Sequence, residues 1–257
     1  KAMQITKREV EQTLSSMSLD EAIEYLKELS RKVDKKFISE LLEKYFRKRE
    51  EATKEKNRFL AMTKHEKEAY DAGYKLVAGI DEAGRGPIAG PVVAGCVILP
   101  RNIYIPNLKD SKQLSEKQRE LLFDLIREKA VTWSVGIVDH QCIDRINILN
   151  ATKLAMEIAV KTLDVKPDLL LIDAVHLDRV DMDQKSIIKG DQLSISIAAA
   201  SIVAKVTRDR ILCEMDRIYP EYGFINNKGY ATKDHIEAIK KYGICPIHRI
   251  SFTEGLI

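Results

Sequence analysis

All twelve glycines and all seven prolines of this 257-residue chain lie after residue 72. The stretch before them lacks both the residue that most favours non-helical backbone and the one that removes a helical hydrogen bond. Residues 1–72 therefore read as helices and little else. Three S/T-x-x-E boxes, Thr6 to Glu9, Ser18 to Glu21 and Thr63 to Glu66, mark helix starts, because each pair can satisfy backbone donors left free there. Ala22, Tyr25, Leu26 and Leu29 recur at helical spacing after Ser18. "FISELLEKYFRKREEATKEKNRFLAM" reads as one long charged helix with Phe37, Leu41, Leu42, Tyr45 and Phe46 on a stripe.

At Gly73 the texture changes. "KLVAGID", "GPVVAGCVIL" and "TWSVGIVD" are short, β-branched-rich runs bounded by Gly, Pro or Asp, and read as strands. "PDLLLIDAV" has the signature of a buried strand, and "KSIIKGD" reads as a shorter one. Helices are expected at "EKQRELLFDLIREKA", "ILNATKLAMEIAVKTL", "SISIAAASIVAKVTRDRILCEMDRIY" and "TKDHIEAIKKYG". Strands first, then strands alternating with helices, imply an α/β layer with a mixed sheet over residues 73–257.

No apolar run approaches the roughly 20 residues of a membrane span, and "KAMQITKREVEQ" has no signal-peptide core. Cys96, Cys142, Cys213 and Cys245 form no C-x-x-C pair. The expectation is a soluble cytoplasmic protein with reduced thiols and no zinc site. Lys plus Arg number 42 against 39 for Asp plus Glu, a net charge of +3, so a polyanionic partner would have to be met by a local basic surface.

Four acids stand where a strand ends or a turn begins: Asp81 and Glu82 after "LVAGI", Asp173 after "LLLI" and Asp191 after "SIIKG". Buried carboxylates are costly unless paired, hydrogen-bonded or bound to a cation. Any one of them could equally cap a following turn. The four together point to a hard-cation site, whose oxygen ligands suit Mg²⁺ or Mn²⁺ flanking a phosphate. Asp139, Asp144, Asp164, Asp168, Asp178, Asp181 and Asp183 fall in polar clusters and read as loop or helix-end charges.

With "DEAGRG", "LLLIDA", "IIKGD", "IAAASIVAKVTRD", "NNKGYATKDH" and "HRISF" in this order, residues 73 to 255 resemble the bacterial ribonucleases HII. The resemblance implies a ribonuclease H-like fold, a mixed five-stranded sheet flanked by helices, here with an all-α N-terminal extension. It implies a metal-dependent endonuclease that hydrolyses the RNA strand of RNA/DNA hybrids. Such an enzyme also cuts 5′ to single ribonucleotides embedded in duplex DNA, leaving 3′-hydroxyl and 5′-phosphate ends and serving ribonucleotide removal from DNA. Carried over position by position, the ligands of two Mg²⁺ or Mn²⁺ ions are Asp81, Glu82, Asp173 and Asp191. Gly84-Arg85-Gly86 is the loop that reads the 2′-hydroxyl, the group that separates RNA from DNA, and Tyr230 packs on the following deoxyribose.

Lys112 matches a position near the substrate phosphates, or is a charged residue before a helix capped by Ser115 and Gln118. Lys205 and Arg208, at i and i+3 on one helix face, contact phosphates or pair with Asp209 and Glu214. Tyr230 read alone is a tyrosine packed under its loop. Ala231 stands where the family usually has glycine, and His235 and His248 read as structural hydrogen-bonders. Lys35, Lys36, Arg47, Lys48 and Arg49 either grip a duplex or, given the interleaved Glu residues, line a solvated helix. No clamp-binding peptide stands out in "ISFTEGLI", and a monomer is the default. The rival readings are a ribonuclease HIII-like nuclease without junction preference, a catalytically silent hybrid-binding module, and a DNA-only nuclease with the same metal chemistry.

Overall fold

The computed structural model describes residues 5–255, which fall into two compact units dividing between Leu60 and Ala61. The first is built on α1 (Lys7–Leu14), α2 (Leu19–Lys32) and most of α3 (Lys36–Met62). Val10, Leu14, Ala22, Leu26, Leu29, Ile38 and Leu41 form its core. The capping boxes at Thr6 and Ser18 close in both directions, with Glu9 and Glu21 accepting the cap N–H groups at 2.8 Å. Three of the basic residues that could grip a duplex are matched locally. Arg47 faces Glu43 and Arg49 faces Asp20, each at 3.6 Å, while Lys35 donates to the Ile5 carbonyl at 2.7 Å.

In the second unit α4 (Lys64–Asp71) leads into β1 (Val77–Ala83), β2 (Val92–Ile98), a 3₁₀ turn at Ser111–Gln113, α5 (Glu116–Lys129) and β3 (Thr132–Val138). Then come α6 (His140–Lys161), β4 (Leu169–Asp173), β5 (Asp183–Ile187), α7 (Gly190–Leu193) and α8 (Ile195–Ile218). A second 3₁₀ turn at Pro220–Tyr222 is followed by α9 (Phe224–Asn227), α10 (Lys233–Tyr242) and α11 (Ile250–Thr253). The five strands form one mixed sheet of order β3-β2-β1-β4-β5, antiparallel from β3 to β1 and parallel from β1 to β5.

Helices approach both faces closely, because glycine stands where they touch the strands. A Cβ on Gly79 would sit 2.0 Å from the Ser196 carbonyl carbon, and one on Gly95 would sit 2.4 Å from the Ala200 oxygen. The small-residue face of α8 thus rests directly on β1 and β2. On the other face α6 packs over Ala78, Ile80, Ala94, Cys96 and Ile172. Asn147 interrupts α6 with φ 66° and accepts from the Asn150 N–H, so it caps the segment expected from Ile148 onward.

Two local expectations are corrected. Thr63 makes no side-chain cap bond at the start of α4. Glu66 instead turns inward, where it is buried and accepts from the Ser194 hydroxyl and the Ser196 N–H. "KSIIKGD" is not a strand through its length. Pairing with β4 ends at Ile187, Lys189 takes a left-handed conformation (φ 57°), and Asp191 falls in the first turn of α7.

Candidate active site

The parallel register places the acids. Ile80 pairs with Ile172, so the next residues along, Asp81 and Asp173, stand side by side where that pairing ends. Asp81 is not at the end of its strand, since β1 continues against β2 through Glu82 and Ala83. Beyond β5 the chain turns back, and the Gly190 N–H donates to Asp173 Oδ1 at 2.7 Å, bringing α7 and Asp191 onto the same edge. Acids 110 positions apart in sequence (81 to 191) thereby share one edge of the sheet.

Electrostatics bind them into one group. Burial, then the Glu82 and Asp173 carboxylates, push Asp81 well above the ordinary carboxylate range, against the Ser201 hydroxyl and the Glu82 N–H, which favour its charged form. Burial also raises Glu82; Arg85 opposes the shift and Asp173 adds to it. Asp191 is raised by burial and by Asp110, and Lys112 opposes. Asp173 thus acts on all three of the other acids. Arg85 Nη1 lies 3.2 Å from Glu82 Oε1, and the largely exposed Lys112 Nζ lies 3.6 Å from Asp191 Oδ2. Glu82 Oε2 is buried and has no hydrogen-bond partner among the described residues.

Among the described residues no three carboxylate, imidazole or thiol side chains converge closely enough to enclose an ion. The donor set is nevertheless all hard oxygen, as Mg²⁺ or Mn²⁺ requires. Glu82 Oε2 is an uncommitted acceptor within it, and mutual repulsion raises the affinity of such a group for any cation.

Two residues of the site escaped sequence reading. Asp110 is 4 % exposed, caps the first 3₁₀ turn by accepting from the Lys112 N–H at 2.9 Å, and stands close enough to Asp191 to raise it. Ser201, from the small face of α8, favours the charged form of Asp81 and lies 2.9 Å from the Ser111 hydroxyl. "KDSK" carries no spacing that marks Asp110, and Ser201 looks like one small residue among several; only the fold brings them to the edge.

Three residues past Asp81 the glycine loop begins. Gly84 has φ +97°, and a Cβ there would lie 2.2 Å from Arg208 Nε. Gly86 and Arg85 are exposed; a Cβ on Gly86 would meet only the Tyr230 ring, at 3.7 Å. Tyr230 is 46 % exposed, so it does not pack under its loop but stands beside Gly86. The unusual backbone of its loop falls on Lys228 (φ 49°) and Gly229 (φ +83°), and Ala231 needs no positive φ.

Arg208 does not reach solvent, which corrects its expected phosphate contact. It is fully buried, and its guanidinium donates to the Pro91, Lys228 and Ala89 carbonyls at 2.9, 2.9 and 3.0 Å. Lys205 is held at 2.6 Å by Asp209, which also faces Arg119 at 3.7 Å, while Glu214 pairs with Arg217 instead. Both residues therefore brace the fold.

His235 and His248 are buried and meet through their Nε2 atoms at 3.0 Å. The Cys245 N–H donates to His248 Nδ1 at 2.9 Å, so His248 carries its proton on Nε2 and donates it to His235 Nε2. His235 then donates from Nδ1 to the Tyr230 carbonyl at 2.8 Å.

Comparison with known proteins identifies the family and the fold. The family described as Ribonuclease HII matches residues 78–255. A ribonuclease HII of Acetivibrio thermocellus is 57% identical over 257 residues, covering 98% of each chain. The solved ribonuclease H2 of Pyrococcus horikoshii superposes with a TM-score of 0.57 at 31% identity, over 69% of this chain and 93% of that one. A ribonuclease HII of Archaeoglobus fulgidus, solved in complex with PCNA, gives 0.59 at 27% identity, over 70% and 94%.

Proposed function

The chain belongs to the ribonuclease HII family, type 2 ribonucleases H that act on RNA/DNA with divalent metal, and on that premise we propose that it cuts duplex DNA on the 5′ side of an embedded ribonucleotide. It cuts the RNA strand of hybrids as well, and leaves 3′-hydroxyl and 5′-phosphate ends. One observation carries the reading: the open face of Gly86 lies beside the half-exposed Tyr230 ring, on the loop that directly continues the strand bearing Asp81 and Glu82. A ribose recognised at that loop stands at a fixed offset from the acids, because a strand is the most rigid spacer the fold offers.

Asp81, Glu82, Asp173 and Asp191 are the residues that would hold two divalent ions. Such ions, when bound, supply activation of water and stabilisation of charge at the scissile phosphate. The protein's own groups do the rest. The Gly190 N–H orients Asp173, Ser201 orients Asp81, and the exposed Lys112 offers its ammonium to a backbone phosphate. Gly86 leaves room for the sugar, and the Tyr230 ring supplies an apolar face for the next one, which lacks the 2′-hydroxyl.

The test uses a 5′-labelled DNA duplex with a single ribonucleotide beside a full RNA/DNA hybrid, with Mg²⁺ or Mn²⁺. A cut immediately 5′ to the ribonucleotide is expected. Cleavage of the hybrid alone would assign the HIII-like activity, and binding without cleavage the silent module. Asp81→Asn is expected to lower turnover by ~10³-fold or more, the scale of losing a group that organises transition-state charge, while the protein stays folded. Near-wild-type turnover in that variant would refute the metal assignment.

A further inference from the structure

Arg249 is fully buried, and among the described residues it has no carboxylate partner; each hydrogen bond of its guanidinium there goes to a backbone carbonyl. Nε donates to Gly90 at 2.9 Å, Nη1 to Arg85 at 3.1 Å and Pro87 at 2.7 Å, and Nη2 to Gly84 at 2.6 Å. Four carbonyls of the glycine loop and its exit are thus gathered on one planar fork. A lysine ammonium, with its donors on a single atom, could not span them. The ring of Phe252 lies against this guanidinium, 5.1 Å away. Burial and the neighbouring Arg208 hold Arg249 down to about 9, so it is still a cation at neutral pH.

The loop's other half follows from peptide geometry. No cis bond is present among the described residues, and in a trans peptide the carbonyl of one residue and the N–H of the next point in opposite directions. Turning the Gly84 and Arg85 carbonyls inward turns the Arg85 and Gly86 N–H groups outward. Among the described residues neither of these donors has a protein acceptor, whereas the Ile88 N–H, opposite the third inward carbonyl, is taken by Gly229 at 2.9 Å. Arg85 and Gly86 are the exposed residues of the loop, so the fork leaves two adjacent donors facing solvent beside Tyr230.

We propose that Arg249 is a positioning residue for substrate choice: by holding the Gly84, Arg85 and Pro87 carbonyls inward it presents the Arg85 and Gly86 N–H groups as the donor pair that meets the ribonucleotide 2′-oxygen. The inference rests on the glycine-loop reading given above. It predicts that loss of the fork erases discrimination between ribose and deoxyribose without erasing duplex binding.

The measurement is the affinity of the full chain for two duplexes that differ only in one ribose or deoxyribose, with Ca²⁺ present to suppress turnover. The ratio of the two affinities is the readout, because a merely destabilised protein loses active fraction for both duplexes alike. Arg249→Lys keeps the charge and is expected to lower the wild-type ratio by ~10-fold, the scale of a hydrogen bond or two misaligned, with affinity for the all-deoxy duplex retained. Phe252→Leu, which removes only the ring under the guanidinium, gives a smaller fall in the same ratio and decides the matter if Arg249→Lys does not fold. A folded variant with an unchanged ratio overturns the role of Arg249 and leaves the glycine-loop reading standing. A wild-type ratio of one overturns both.

Discussion

Gly84 and Gly86 stand two positions apart and answer to different constraints. Gly84 is demanded by the protein itself, through a left-handed φ and the Arg208 side chain that fills the place of its Cβ. Gly86 has ordinary room around it, so the fold itself does not require glycine there. Gly84→Ala is therefore expected to destabilise the fold by more than the ~1–2 kcal/mol of the left-handed backbone alone, read from urea unfolding. Gly86→Ala should melt like the wild type while its cleavage of a single embedded ribonucleotide falls ~10-fold or more, since a methyl group would keep the loop from the sugar. Equal melting of the two variants would dissolve the distinction. At this scale the sequence was readable where chemistry is local: the four acids and the glycine loop announce themselves by residue type. Arg208 and Arg249 were not, because a buried arginine bonded only to carbonyls has no complementary charge in the sequence to reveal it.

Helix α4 shows how an element can be assigned correctly and yet misunderstood. Its helical character is legible from composition, but the Thr63–Glu66 spacing fits a cap that the structure does not form. The carboxylate instead spans to the start of α8, where it holds Ser194 and Ser196 just beyond the helix bearing Asp191. Removing it leaves a buried hydroxyl and a buried N–H without their acceptor, so Glu66→Ala should cost ~1–3 kcal/mol. Truncation makes the same point at a coarser level: residues 61–257 should unfold cooperatively, whereas residues 73–257, lacking Glu66, should unfold at lower denaturant. Identical midpoints would show that α4 is dispensable. The mixed sheet and its flanking helices were legible from run length and β-branching. The turn at Ile188–Gly190 was not, since "SIIKGD" has a strand's composition and only the left-handed Lys189 ends it.

Across the whole molecule, the buried histidines and the buried acids pull stability in opposite directions with pH. Burial and the charge of His235 lower His248 to about 4, and burial lowers His235. The unfolded chain therefore takes up protons from its ordinary value near 6.5 that the folded chain refuses. Their contribution is complete above pH 6.5 and is lost as pH falls toward 4, at up to ~1.4 kcal/mol per pH unit for each such proton. Asp81, raised in the folded state, has the reverse sign: its penalty grows as pH rises through its folded value and is relieved in acid. Thermal melts from pH 8 to 5 should decline, and His248→Gln should flatten the decline; an unchanged slope would remove the histidine pair as its cause. Acid would also break the donor chain to the Tyr230 carbonyl, because a second proton sets two N–H groups face to face. The fork of Arg249 carries a last consequence, in time rather than space. The loop beginning at Gly84 is fastened by a residue 165 positions later, so a chain emerging from the ribosome holds its first two acids long before it can shape the loop beside them. Non-local contacts of that span close late. The shape of that loop thus arrives only after residue 249 has been made, well after the two acids that precede the loop.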